Sequence, residues 1–204
     1  MKKALINIRE FFWPLLEEES EETGSGEKDI HLIISDENLE EAFKQKLRTY
    51  ENEEDRRKEI EKKASLYIST ISIATSIVVA ANTLITGKQE YGLPIKISVV
   101  ITFVLTLYAV RTVWFSTKAL ERGNYSVLDI DDFNVEGGKP QFYKKLIQSL
   151  HKITERNQSQ INLKVDYFTL AQEYYKRAII VICIYAFIIL IFCFFIPAQC
   201  SSPV

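Results

Sequence analysis

The run Ala178 to Ile196, AIIVICIYAFIILIFCFFI, holds no charged residue. An apolar helix of about 20 residues crosses a bilayer core about 30 Å thick. Directly before it stand Tyr174, Tyr175, Lys176 and Arg177. Aromatic and basic side chains in that position mark a headgroup level, and their placement fits the cytoplasmic face. This segment alone makes the chain read as an integral membrane protein.

Two further apolar blocks follow the same logic. The first, 64–85, carries hydroxyls at Ser65, Ser69, Ser72, Ser76 and Thr83, spaced three, four or seven apart, with Ala80 on that face. Such spacing puts them on one stripe of a helix. Asn82 adds an amide near the far end. The second block, 93–114, has Pro94 in its first turn and a similar face of Ser98, Thr102, Thr106, Ala109, Thr112 and Ser116. Only residues 86–92 join the two blocks, so they form an antiparallel hairpin. The overall figures, 47% hydrophobic and 25% charged with a net charge of −2, resemble those of a soluble domain. That average conceals the segregation into three apolar blocks and charged gaps, and it gives no argument for nucleic-acid binding.

Lys and Arg set the topology. Twelve precede the first block, the hairpin turn holds Lys88 alone, eleven lie from Arg111 to Arg177, and none follows Ile196. The positive-inside rule then puts the N-terminus in the cytoplasm, the hairpin turn outside, 115–177 inside and the C-terminus in the periplasm of a bacterial inner membrane. Residues 1–63 carry 18 acids against 12 bases, and 114–177 carry 8 against 10. These opposite signs favour packing between the two cytosolic regions, weakly after screening.

The expected fold is all-α, with three transmembrane helices and long helical cytosolic stalks. Its parts are an amphipathic N-terminal helix (1–16), an acidic flexible linker (17–34), a solvated stalk helix (35–63), spans at 64–85 and 93–114, a cytosolic helical region (115–177), a third span (178–196) and a periplasmic tail (197–204). In the first part Leu5, Ile8, Phe12, Leu15 and Leu16 approximate one face, which suits the membrane surface, a partner groove or the protein's own cytosolic part. Asn7, Arg9 and Glu10 break any signal-peptide core. Ser35 begins the stalk as an N-cap candidate, and Leu39, Phe43, Leu47 and Tyr50 recur at helical spacing. Gly123 and 137–140 are breaks, and 126–135 can hold a short extended piece. Beyond them Phe142, Leu146, Leu150 and Ile153 form a second stripe.

Chemistry-bearing motifs are sparse. There is no phosphate-binding loop, zinc spacing, nucleophile elbow or catalytic carboxylate pair, so neither an enzyme nor a cofactor is expected. His31 and His151 lack partners in sequence, and Asp129, Asp131 and Asp132 read as solvated acids rather than a metal site. Cys183, Cys193 and Cys200 make no disulfide framework. Lys96 and Arg111 lie close enough to an interface to snorkel, and no acid is buried in a span, which argues against proton-coupled transport.

Two residue sets carry functional readings. Ser65, Ser69, Ser72, Ser76, Thr83, Ser98, Thr102 and Thr106 either line a pore built from several copies or let helices pack closely. Asn162, Lys164, Ala171, Tyr175 and Arg177 form a candidate lever that couples a cytosolic surface to the third span.

The stalk leading into 64–85, the hairpin turn at Gly87, and the closing segment Asn157, Asn162, Lys164, Tyr167, Phe168, Ala171, Gln172 and Tyr175 before an apolar span together resemble a known group. They look like SLATT-type and retron-associated small membrane effectors of bacterial anti-phage systems. The third full span and the N-terminal arm depart from a strict two-span plan. The resemblance implies abortive infection: a homo-oligomer that breaches the inner membrane once released by a cytosolic sensor, such as a reverse transcriptase with its non-coding RNA or a nucleotide-signalling enzyme. A membrane scaffold for a cytosolic partner and a regulated ion channel are the other readings the same features allow.

Overall fold

Between Ser35 and Thr86 there is neither proline nor glycine. Nothing in that stretch removes a backbone donor or loosens the chain, and one helix runs through it. In the computed structural model, which describes residues 35–86, 93–133, 135 and 137–195, helix α1 spans Leu39–Thr86. A 3-10 turn, Asp36–Asn38, leads into it. Helix α2 spans Leu93–Leu120 and helix α3 spans Lys139–Phe195. Among the described residues there is no strand. The N-terminal amphipathic segment, the acidic linker, His31, the hairpin turn at Gly87 and the C-terminal tail lie outside the described residues.

Helix α1 begins differently from its expected cap. The Ser35 side chain makes no capping bond to the backbone. Instead the Asn38 N–H donates to the Ser35 carbonyl at 2.9 Å, and the Asn38 amide donates to Ser35 Oγ at 3.0 Å. Helix α3 starts where Gly137 adopts φ 147°, a region that favours glycine. A Cβ there would sit 2.7 Å from Gln141 Oε1, the oxygen that accepts the Gly138 N–H at 2.6 Å. Gln141 thus closes half of a capping box.

The chain forms two compact units, with divisions at 63/64, 117/118 and 167/168. One unit holds 64–86, 93–117 and 168–195. Among the described residues three helices are long and apolar enough to cross a membrane. The core of this unit joins Ile71 and Val78 of α1, Leu105 and Ala109 of α2, and Ala178 and Tyr185 of α3. The alanines let the backbones approach. Asn82 of α1 meets Ser98 and Thr102 of α2, and also Tyr185 of α3. Tyr67 meets Phe168 and Tyr175. Spans one and three therefore run parallel, and α2 runs opposite to both. The outer surface stays apolar: Ile73, Ile77, Val100, Phe103, Phe187 and Leu190 are all more than half exposed. An exposed apolar surface of that extent is compatible with a membrane surrounding.

The other unit contains 35–63, the segment 118–133 and 137–167. Leu39 and Ile60 of α1 are buried there, as are Leu146, Ile147, Leu150, Ile153 and Ile161 of α3. Phe43 lies against Tyr143 at 5.6 Å, and Lys144 pairs with Asp36 at 2.8 Å. The charged stretch 51–63 is thus not a freely solvated stalk. One side is solvated and carries pairs such as Lys63–Glu59 at 2.6 Å. The other side packs on α3 through Ile60 and Glu61. Of the piece expected at 126–135, the described residues form no strand: 122–129 has no regular structure and Ile130–Phe133 is a 3-10 turn.

Leu150, fully buried, tests this second core. Leu150→Ala is expected to cost about 2–5 kcal/mol of this unit's stability. Hydrogen-exchange protection should fall across 39–60 and 146–161 while the apolar spans keep theirs.

Candidate functional site

The hydroxyl stripes of the first two spans have different fates. On α1, Ser65, Ser69, Ser72, Ser76 and Thr83 are all exposed. Ala64, Ile71 and Val78, which pack inward, sit on another face of the helix. Four of these hydroxyls bond to the preceding turn. Ser69 donates to the Ser65 carbonyl at 3.0 Å, Ser72 to Ile68 at 2.7 Å, Ser76 to Ser72 at 2.8 Å and Thr83 to Val79 at 3.0 Å. Back-bonding of this kind removes the unsatisfied donor that would make lipid exposure costly.

On α2 the stripe turns inward. Ser98, Ala109, Thr112 and Ser116 are buried, and Thr102 is half-buried. Thr106, one position off the stripe, is exposed and back-bonds to Thr102 at 2.8 Å. At the Asn82 end the inward face meets an amide. Asn82 donates to Thr102 Oγ1, and its carbonyl oxygen accepts from the Ser98 hydroxyl and, at 2.6 Å, from the Tyr185 hydroxyl. Ser98 and Tyr185 also lie 3.3 Å apart. Four polar side chains on three helices thus satisfy one another inside an apolar pack. The eight residues of the candidate stripe do not form one surface: Ser98 and Thr102 pack the helices together, and the other six face outward.

The lever residues also divide. Ala171 is fully buried in the membrane unit, and Tyr175 stacks on Tyr67 with centroids 4.5 Å apart. Arg177 donates to the Glu173 carbonyl at 2.8 Å and to its carboxylate at 3.3 Å. Asn162 and Lys164 belong to the other unit, where Asn162 is exposed. Lys164 is only 5% exposed, rare for an ammonium without a partner. Its partner is Glu61 of α1, at 2.6 Å. The Tyr125 ring lies 5.6 Å from the Lys164 Nζ, and the Arg57 guanidinium lies 4.3 Å from the centroid of the same ring. One residue on, the Asn157 side chain binds both backbone groups of Ser126 at 2.9 Å. The irregular segment after α2 is thereby clamped to α1 and α3. Sequence reasoning singled out Asn157 and Lys164 but not Arg57, Glu61 or Tyr125. The only signal for those three is that Lys164 breaks an otherwise inward-facing stripe and therefore needs an acid.

Two smaller features complete the unit that holds 35–63, 118–133 and 137–167. Lys46 Nζ lies 2.8 Å from His151 Nδ1. Burial pushes the Lys46 ammonium below the usual lysine range, with Glu155 opposing that shift. Asp132 accepts the Asp129 N–H at 3.0 Å and the Ser149 hydroxyl at 2.8 Å, and those bonds hold its carboxyl below the usual range. Among the described residues no group of His, Cys, Asp and Glu is placed to hold a metal ion. No family model matches the chain, and no curated protein or solved structure does either.

The clamp predicts a coupled pair. Lys164→Met leaves Glu61 without its cation and is expected to cost about 1–3 kcal/mol. Adding Glu61→Leu should recover part of that loss, and a double-mutant cycle on chemical denaturation reads the coupling. In the membrane unit, Asn82→Leu strands the Tyr185 hydroxyl and should cost about 1 kcal/mol in detergent unfolding. Ser72→Leu, whose hydroxyl binds only its own helix, should leave that unfolding unchanged.

Proposed function

We propose that the protein is a transmembrane effector of an anti-phage defence system. In this reading it assembles into a homo-oligomer in the bacterial inner membrane and permeabilises it when a cytosolic phage-sensing partner releases it. The water-facing unit lies in the cytoplasm with the N-terminus, and the C-terminus lies in the periplasm. The observation that carries the reading is the outward hydroxyl row of α1. Three spans cannot enclose a channel, and the row lies outside their mutual packing. Several copies with α1 facing a common axis would surround a path with Ser65, Ser69, Ser72, Ser76 and Thr83. The continuous helix α3 is the lever in this scheme, leading from the Lys164 clamp to the third span. The architectural resemblance to SLATT-type and retron-associated membrane effectors supplies the biological setting, and the proposed trigger is such a partner rather than a small-molecule cofactor. No catalytic step is part of the proposal.

One observation favours a second reading, a membrane anchor for a cytosolic protein. Every outward hydroxyl described above that donates does so to its own helix, so the face tolerates lipid and needs no aqueous path. Induced expression of the protein without its genomic neighbours separates the two. The effector depolarises cells within minutes, read by a potential-sensitive dye, whereas the anchor leaves potential and growth unchanged. Within the effector reading, the double substitution Ser72→Leu and Ser76→Leu should abolish depolarisation at equal membrane levels. Thr102 does not serve this test, because its loss also breaks the Asn82 bond. For the lever, Asp166→Pro interrupts α3 at an exposed position and is expected to free depolarisation from partner control. Unchanged control at normal membrane levels would remove the lever from the proposal.

A further inference from the structure

His151 follows the fully buried Leu150 on α3 and is itself half-buried. Its ring reaches in two directions. Nδ1 lies 2.8 Å from Lys46 Nζ of α1. Nε2 is buried without a hydrogen-bond partner, yet a Glu155 oxygen, one turn further along α3, stands 3.4 Å from it. The ring is thus held between an amine on the facing helix and an acid on its own.

The contact with Lys46 admits one positive charge but not two. An ammonium and an imidazolium both offer donors and no acceptor. With both groups protonated the 2.8 Å bond has no acceptor left, and like charges face each other where water screens them less than in bulk. Burial already pushes the Lys46 ammonium below the usual lysine range, against the pull of Glu155. Other charges of this unit are placed elsewhere. Lys144, two turns earlier on the same face of α3, pairs with Asp36 at 2.8 Å. Lys152 and Arg156 are exposed and stand about 100° and 140° around α3 from His151. Asp132, from the segment after α2, reaches α3 at Ser149, about 200° around the helix. On α1, Lys44 and Arg48 lie about 200° from Lys46. Tyr50, one turn beyond Lys46, is half-buried, and Glu53, two turns beyond, accepts from Arg56 at 3.4 Å.

We propose that Lys46, His151 and Glu155 form a pH switch: on acidification the ring takes up a second proton, leaves Lys46 and pairs with Glu155, so that a bond between α1 and α3 becomes one within α3. Histidine is the side chain that ordinarily changes charge between about pH 8 and pH 5. The Glu61–Lys164 pair of the same unit contains no such group and keeps its bond over that range. Acid therefore loosens α1 around Lys46 and leaves the clamp in place. The switch does not rest on the effector reading, because it concerns only how α1 meets α3 within one unit.

The test is amide hydrogen exchange of the full-length protein in nanodiscs at about pH 7.5 and about pH 5.5, corrected for intrinsic exchange rates. Protection across 43–50 and 148–154 is expected to fall about tenfold at the lower pH, while 58–63 and 160–165 keep theirs. His151→Gln can still accept from Lys46 but takes up no second proton, and it should hold protection constant between the two conditions. Lys46→Met has no cation to repel the ring and should do the same. Glu155→Gln removes the acid-side partner and should shrink the fall. An equal fall in the His151→Gln protein would overturn the proposal, since other groups would then cause it, and so would a fall spread evenly over 39–63. A further arm leaves the cluster untouched. His31→Gln makes His151 the only histidine, so nitrogen NMR reads its ring alone. A ring that takes up no second proton by about pH 5.5, or one that does so while keeping its contact with Lys46, would sink the switch.

Discussion

Hydrocarbon supplies no hydrogen bonds, and that constraint bears on the three described helices that are long and apolar enough to cross it. A backbone there must satisfy its own N–H and C=O groups, which makes the helix the only open form for a single segment. The same demand extends to side chains. Ser69, Ser72, Ser76, Thr83 and Thr106 meet it by turning back on the preceding turn of their own helix. Asn82 cannot, because an amide has donors and an acceptor to place, and it meets the demand across the helix pack with Ser98, Thr102 and Tyr185. The first solution leaves a side chain free to face anything. The second ties three helices to one arrangement.

That contrast separates two kinds of polarity that look alike in sequence. Hydroxyl spacing predicts which residues share a helix face; the α1 row shares one exposed face, whereas on α2 Thr106 falls outside the buried row. It does not say which face meets a neighbouring helix, because Ser and Thr suit contact and exposure equally well. The decision lies with their companions. On α2 the hydroxyl row includes Ala109 and runs beside Leu105, so the inward side is small and closely packed. On α1 the inward side is Ala64, Ile71 and Val78, and the hydroxyl row is displaced outward. The only in-sequence hint was Asn82, the one residue of its block that cannot satisfy itself locally.

In the unit that holds 35–63 the sequence was most misleading where charge was densest. Residues 51–63 are almost continuously charged, and a solvated stalk follows if each residue is judged by its type. Position matters more. Ile60 interrupts the run and is buried, and Glu61 beside it answers Lys164. A buried lysine and its acid lie about a hundred residues apart in sequence, and no local pattern connects them. Helix existence, the apolar blocks and the aromatic cluster before Ala178 were legible because each depends on local composition. The clamp of Arg57, Glu61, Tyr125, Asn157 and Lys164 was not, because it depends on which helices come together.

The clamp also bears on how a helix such as α3 can carry information. A buried ion pair with its surrounding rings adds little to stability over an apolar core, but breaking it leaves an unpaired charge and is costly. Its value is therefore in making one arrangement of α1, α3 and the intervening segment strongly preferred to others. A partner that competes for Glu61, Lys164 or the Tyr125 segment would not need to unfold the unit to change it. It would only need to offer the lysine an alternative acid or the glutamate an alternative base. The polar knot at Asn82 works by the same principle within the membrane unit, where a shifted helix would strand an amide in an apolar surrounding. In each unit a few directed bonds between side chains thus add specificity to the apolar contacts around them.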